Sequence, residues 1–423
     1  AADQLLQEGR DPAGGVAYRI YRGVSPTAPA PPNPVQADVG GMARFDGVGL
    51  PASVAAGQEL DVQEYWHTLA AGSPDLRAFL HLVDAQGHVW AQADGLGFYA
   101  EDWQPGDRAI NDQRLEVPSY APPIPMQLLF GLYDAGSGQQ LPVLDAAGKP
   151  AGSQLMVGGV QIRPGQGPPA GWQPPHAIDR QLTPGLALAG YELPQNNVRA
   201  GDALPVRLWW RVTAAPQTIP ALEMTGLQTS EQGLQQLLPP PQWPLGVIED
   251  QRELRLPPNA TAGQDTLGIG GVTLGQITVV EPRRDFTLPT MQRQLGLPVA
   301  PSAGGQRLAT LAGYDLVPID PGQPLKLTLV WQDQAPISTS YKVFVHVLDG
   351  SGQVIAQKDD FPQAGAMPTT FWLPGQVIVD PYELPLSGPL PEGAQLEAGM
   401  YDPSSGKRLA LGTEDRVRLP LSR

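Results

Sequence analysis

The chain has no cysteine. Disulfides and thiolate metal sites are therefore excluded, although lack of cysteine does not exclude export. Histidine is scarce, with five in 423 residues, so a zinc centre would have to gather scattered ligands. Positive charge is short: 27 Lys and Arg stand against 42 Asp and Glu, a formal net charge of −15, and no basic run stands out. Such a surface repels phosphate backbones and anionic bilayers, which argues against nucleic acid and membrane surfaces as partners. No apolar run nears the roughly 20 residues of a membrane helix, so no transmembrane segment is expected. Also missing are G-x-S-x-G, H-E-x-x-H, a P-loop and a dinucleotide fingerprint, and no cofactor is called for. No signal peptide is visible. The chain opens on AADQLL without Met, which reads as an N-terminus processed after a small-residue cleavage site, or as a fragment of something longer. Export is the expectation.

Turn formers, by contrast, are abundant. Gly (49) and Pro (48) make up close to a quarter of the chain, while hydrophobic residues reach 41% and nine Trp are present. Short apolar runs between many turns point to an all-β protein with packed cores. The length suits roughly two to four domains.

Internal repeats give the organisation. A strand pair recurs as LAGYDLVPIDPGQPLKLTLVW from Leu311, LAGYELPQNNVRAGDALPVRLWW from Leu188, and more weakly MARFDGVGLPASVAAGQELDVQEYW from Met42. A string F-x-H-x-x-D-x-x-G-x-V-x-A-Q-x-D follows in two copies, from Phe79 and from Phe344, with a degenerate equivalent around ALEMTGLQTSEQG in between. Next comes a Trp-turn-strand element at Trp103, Trp243 and Trp372. A closing hairpin begins at Leu129 and Glu397, with only a vestige, TLGIGGVTLG, in the middle copy. Each unit, of roughly 100 to 120 residues and seven or eight short strands, has the size of a two-sheet antiparallel sandwich. The reading is three tandem β-sandwich domains, immunoglobulin-like or jelly-roll-like, at 41–163, 185–282 (degenerate) and 307–423. Pro-rich linkers at 164–184 and 283–306 join them, and residues 1–40 hold a short helix (AADQLLQEG), a strand-like VAYRIYRG and a Pro-rich tract.

Chemistry is harder to find. His81 and His346 are followed three residues on by Asp84 and Asp349, and residues three apart on a strand point to opposite faces, so neither pair chelates one ion. Each Asp sits where a hairpin needs its opening residue. Asp112, Asp250 and Asp380 recur once per unit, which suits the fold better than a pair of catalytic carboxylates in one cleft. DGSG and DPSSG hold too few carboxylates for calcium. Trp103, Trp243 and Trp372 recur at one position and read as core plugs. Phe98 and Tyr99 do not recur, and the loop GLGFYAEDW, with Trp90 nearby, could present them to a glycan. The sequon at Asn259 is weak evidence of modification.

The string VFVHVLDGSGQVIAQKDD, with PTTFWLPGQVIVDPYELPL and LEAGMYDPSSGKRL after it, resembles the extracytoplasmic β-sandwich modules that follow the membrane part of Chloroflexi-type lipid-carrier-dependent glycosyltransferases. Similar modules occur in uncharacterised bacterial surface proteins. The resemblance is clear over 307–423, fair over 41–163 and weak over 185–282. It implies a sandwich fold and an extracytoplasmic, secreted or cell-surface place. The transferase's membrane helices are not in this chain, so no catalytic residue carries over. The expectation is a non-catalytic envelope scaffold whose partners are other envelope proteins or copies of itself. The alternative is a carbohydrate-binding accessory module or transferase ectodomain taking a cell-surface glycan.

Overall fold

The computed structural model describes residues 4–10, 16–22, 30–96, 99–144, 150–317, 323–386, 388–403 and 405–421. The chain is all-β: the described residues form 31 strands and four short 3-10 turns, and no α-helix. By internal contacts it divides into two compact units. One comprises Ala1–Pro194, Pro205–Ala221 and Glu231–Glu253, the other Gln195–Leu204, Leu222–Ser230 and Leu254–Arg423.

The first unit contains a sandwich. Its larger sheet has eight strands in the order Gln4–Arg10, Val16–Arg22, Arg108–Glu116, Glu59–Thr68, Ala43–Gly49, Asn33–Val39, Val143–Leu144 and Pro150–Gly152. The facing sheet has five, in the order Ser53–Ala55, Leu155–Arg163, Pro125–Asp134, Leu76–Val83 and Val89–Asp94. Phe45 and Phe130 meet across the two sheets with ring centroids 4.7 Å apart. Strand Glu59–Thr68 alternates: Leu60, Val62, Glu64 and Trp66 are buried while Asp61 and Gln63 are exposed. The same unit holds most of a further five-stranded sheet, His176–Thr183, Leu186–Glu192, Ala203–Val212, Gly246–Arg255 and Ser230–Gln232.

The second unit contains the four-stranded sheet Asn197–Arg199, Val272–Val280, Gly263–Ile269 and Leu222–Met224. It also holds a sandwich. Sheet Val377–Leu384, Leu325–Asp333, Ala309–Leu316, Arg293–Ala300, Ala410–Leu411 faces sheet Val354–Asp360, Lys342–Leu348, Gln395–Tyr401, Val417–Leu419. Leu327, Leu329, Trp331, Val343, Val345, Ala398 and Met400 share its core.

The repeat is visible in the register. The second strand of each copy carries a bulge at one place, between Phe45 and Gly47, between Leu188 and Gly190, and between Leu311 and Gly313. The glycine after each bulge lies against the preceding strand. A Cβ there would overlap the carbonyl oxygen of Asn33, His176 or Arg293. Only glycine lets the two backbones approach this closely.

Two expectations change. Residues Gln4–Arg10 are a strand, not a helix. They pair with Val16–Arg22, which joins the large sheet through Tyr18↔Asn111 and Ile20↔Ala109. The stretches read as linkers also carry structure: Asn33–Val39, His176–Thr183 and Arg293–Ala300 are each a strand paired with the strand that follows. These strands are mostly exposed at their N-terminal ends, so they lack the apolar alternation that marks a strand in sequence. The last of these stretches also packs. Met291 covers the outward-facing Ala312, Val330 and Val377.

Candidate functional site

The recurrent tryptophans are all interior: Trp103, Trp243 and Trp372 expose 2%, 3% and 1%. Each closes a 3-10 turn, Ala100–Asp102, Pro240–Gln242 and Thr369–Phe371, and donates its backbone N–H to the first carbonyl of that turn. The indole then turns inward. Trp243 Nε1 donates to Leu238 O and Trp372 Nε1 to Met367 O, both at 2.9 Å and both five residues back. Trp103 meets Trp66 at 5.0 Å and Trp243 meets Trp210 at 6.4 Å between centroids.

The carboxylates lie beside these plugs. Asp250 is fully buried and accepts from Leu234 N (2.8 Å), Trp210 Nε1 (3.2 Å) and Arg252 Nε (2.7 Å). Asp380 accepts from Gln363 N and Tyr382 OH, both at 2.7 Å. Each ties the loop ahead of the tryptophan to the sheet. Burial pushes the Asp380 carboxyl up to about 6, against those bonds.

Asp112 does not belong to this set. Asp380 pairs with Leu329, two residues before Trp331, whereas the residue paired two before Trp66 is Asn111, with Glu64. Asp112 is one position off and therefore on the other face, exposed, accepting from Gln63 Nε2 at 2.9 Å. The acid has moved to the partner strand: Glu64 is buried and accepts from Asn111 Nδ2 at 3.0 Å. With no cation on it, burial drives its pKa up to about 7, opposed by Asn111 and Gln113.

The histidines occupy one frame. Phe79 and Phe344 lie over Gly131 and Gly399, with no room for a Cβ beneath either ring. His81 sits 4.7 Å from Phe79 and His346 5.1 Å from Phe344. His346 Nε2 bonds Asp359 Oδ1 on the next strand at 2.9 Å; His81 Nε2 stands 3.8 Å from Asp94. Burial lowers the His81 pKa, with Asp94 opposing. Glu397 is held on the same face by Arg416 at 3.0 Å, and Arg408 covers the Phe344 ring at 4.1 Å.

Asp84 and Asp349 cap turns. Asp349 accepts from Ser351 N, Ser351 Oγ and Gln353 N. Asp84 accepts from Gln86 N and His88 N, and also from Trp90 Nε1 at 3.0 Å, while His88 Nδ1 bonds it at 3.0 Å. Trp90 is thus buried, at 6% exposure, and offers no sugar platform. Phe98 lies outside the described residues. Tyr99 alone of the three is shown exposed, at 67%.

A polar joint unforeseen in the sequence sits in the first unit. Arg207 bridges Glu249 (2.7 Å) and Glu192 (2.9 Å), and its guanidinium lies 5.3 Å from the centre of Trp209. Tyr120, Trp172 and Trp209 cluster, tilted or edge-on, within 6.1 Å of one another, and Glu249 N donates to Tyr120 O. The turn at Asp84 touches the same sheet through Gln86 Nε2 and Gly233 O, 3.1 Å.

A buried acid also stands alone. Asp333 is fully buried and neither carboxyl oxygen has a partner among the described residues. The adjacent amides of Gln334 and Ala335 donate to Leu308 O, and burial pushes Asp333 up to about 7, opposed by those two nearby amides. Glu64 and Asp333 were legible in phase, if not in type: both fall on the inward positions of alternating strands, ELDVQEYW and LKLTLVWQD.

Among the described residues no three His, Asp or Glu side chains gather to hold a metal, and no helix is long and apolar enough to cross a membrane. Against known protein families and curated proteins the chain matches none.

Proposed function

We propose that the chain is a non-catalytic, exported component of a bacterial cell envelope, built from three repeated β-sandwiches and working as a structural or assembly scaffold. One observation carries this reading. Most of the polar and aromatic residues that recur, and so were the first candidates for chemistry, are spent on the fold itself. Asp250 and Asp380 fasten loops, Asp84 and Asp349 cap turns, and Trp103, Trp243 and Trp372 plug cores. Reacting groups must instead converge on a space that substrate can enter. The domain reading of 41–163, 185–282 and 307–423 rests on the shared bulge and its glycine, and the extracytoplasmic place rests on the sequence resemblance.

Light scattering on the purified chain, with and without envelope glycan, tests the reading. The expected result is a concentration-dependent oligomer, or a complex with envelope proteins, in the absence of glycan. A chain that stays monomeric in every mixture, or one that turns over a glycan substrate, would sink it.

A further inference from the structure

The three copies differ on one patch of the outer face, where the end of the second strand meets the third. The position is fixed by register: Gly49↔Gln63, Glu192↔Arg207 and Asp315↔Thr328 are equivalent pairs. In the third copy the patch is filled, because the Asp315 carboxylate accepts from Gln292 N (2.6 Å) and Gln292 Oε1 accepts from Leu316 N (3.0 Å). In the middle copy it is filled by the Glu192–Arg207 ion pair at 2.9 Å. In the first copy glycine stands there, with Pro32 in place of Gln292, and a groove of about 720 Å³ opens.

Its two walls are unlike. Pro32, Leu50 and Pro51 make one apolar side. The other is a row of planar polar groups from two adjacent strands. Gln63 donates to Asp112 at 2.9 Å, and Asp61 and Arg114 stand 3.5 Å apart, both largely exposed. The third copy has Lys326, Thr328, Pro381 and Glu383 at these four places; it keeps an ion pair where Asp61 and Arg114 stand but has no acid or amide at the places of Gln63 and Asp112. Asp112 is the acid that fell out of the recurrent structural position. It is free of the loop-fastening role and faces the groove.

We propose that this groove binds a neutral oligosaccharide. Its volume lies in the range of small-ligand sites, about 300–1,000 Å³. Carboxylate, carboxamide and guanidinium side by side offer sugar hydroxyls both acceptors and donors. The proline and leucine wall takes the C–H face of a sugar ring. Two carboxylates against one guanidinium disfavour an acidic ligand. The site is distinct from the scaffold role, and neither depends on the other.

The test is calorimetric titration of the intact chain with cellotetraose, maltotetraose, mannotetraose and chitotetraose. At least one is expected to bind. Gly49→Asp should put a carboxylate into the groove at the position Asp315 holds in the third copy and lower affinity about tenfold or more, as should Asp112→Ala. Gly49 is outside the left-handed region, and an added Cβ meets Gln63 Cβ at 3.4 Å and Pro32 Cγ at 3.6 Å, so the variant should keep its melting temperature. Binding of none of the four, binding only of charged oligomers, or parental affinity in both folded variants overturns the proposal. Mass by light scattering reads the scaffold role separately.

Discussion

At the scale of the residue, the interior holds acids without cations. Glu64 faces two amides, Asp380 a tyrosine hydroxyl and a backbone amide, and Asp333 no partner. Their folded pKa values lie at about 7, 6 and 7, above the ordinary carboxylate range. As pH rises the unfolded chain releases these protons first, near pH 4, while the folded chain holds them to about 6–7. Rising pH between those limits therefore favours unfolding. His88 adds the same sign. Burial lowers its pKa, but the Asp84 bond and charge outweigh this and leave it raised, so its stabilisation is also lost on going up. Asp349 and Asp415, held low by Ser351 and Arg416, lose their contributions only below about pH 4. Melting temperature should thus peak near pH 4–5 and fall toward pH 8. Glu64→Gln keeps an acceptor for Asn111 and removes the ionisation, so it should gain on the order of 2–3 kcal/mol at pH 8 relative to pH 4. Denaturation curves at the two pH values measure this, and an unchanged pH slope in the variant would refute it. Asp112 shows why residue-level reading slipped here. WQPGDRAIND, WPLGVIED and WLPGQVIVD place an acid nine, seven and eight residues after Trp, and matching the letter rather than the strand phase chose the wrong one of two neighbours.

At the scale of the element, a bulge and a glycine set each strand pair. Gly313→Ala would drive a Cβ into Arg293 O and Met291 Sδ, and backbone cannot yield as a side chain can. A loss of roughly 1–3 kcal/mol is expected, against little for Gly159→Ala, whose nearest atom is 3.5 Å away. Equal melting temperatures for the two variants would remove the bulge from the argument. Trp372→Ala leaves a cavity and strands Met367 O, and should cost about 3–5 kcal/mol in urea denaturation. A loss under about 1 kcal/mol would mean the ring is no plug. The strands that end in Trp66, Trp210 and Trp331 were legible because one face is buried and the alternation is clean. Asn33–Val39, His176–Thr183 and Arg293–Ala300 were not, because their pairing is made by backbone and their side chains are largely wet. In the N-terminal hairpin VAYRIYRG was legible as the strand Val16–Arg22, whereas Gln4–Arg10, which pairs with it, was misread as a helix.

At the scale of the whole molecule, the question is how sheet edges are kept from one another, since an open edge is a template for pairing. The same edge is handled differently in two copies. In the first, Arg108–Glu116 is covered by Val16–Arg22. In the third, the equivalent strand Val377–Leu384 ends its sheet and is closed piecemeal. Val377 N donates to Asp285 O at 2.7 Å, Val379 O accepts from Gln363 Nε2 at 3.0 Å, and Pro381, pointing the same way, has no N–H to offer. A net charge of −15 adds repulsion between copies at neutral pH, and it vanishes near the isoelectric point of about 4.7. These two protections should therefore be separable. Pro381→Val with Gln363→Ala restores an outward donor and frees an outward acceptor while leaving the inward ladder to Leu325–Asp333 intact. The double variant should match the parent in mass at pH 8 and low salt, where charge still holds copies apart. Near pH 5, or at pH 8 in high salt, it should form larger species by light scattering that the parent does not. If both proteins stay alike under every condition, the edge is closed by something other than these three devices, and any scaffold contact must be sought on a sheet face instead.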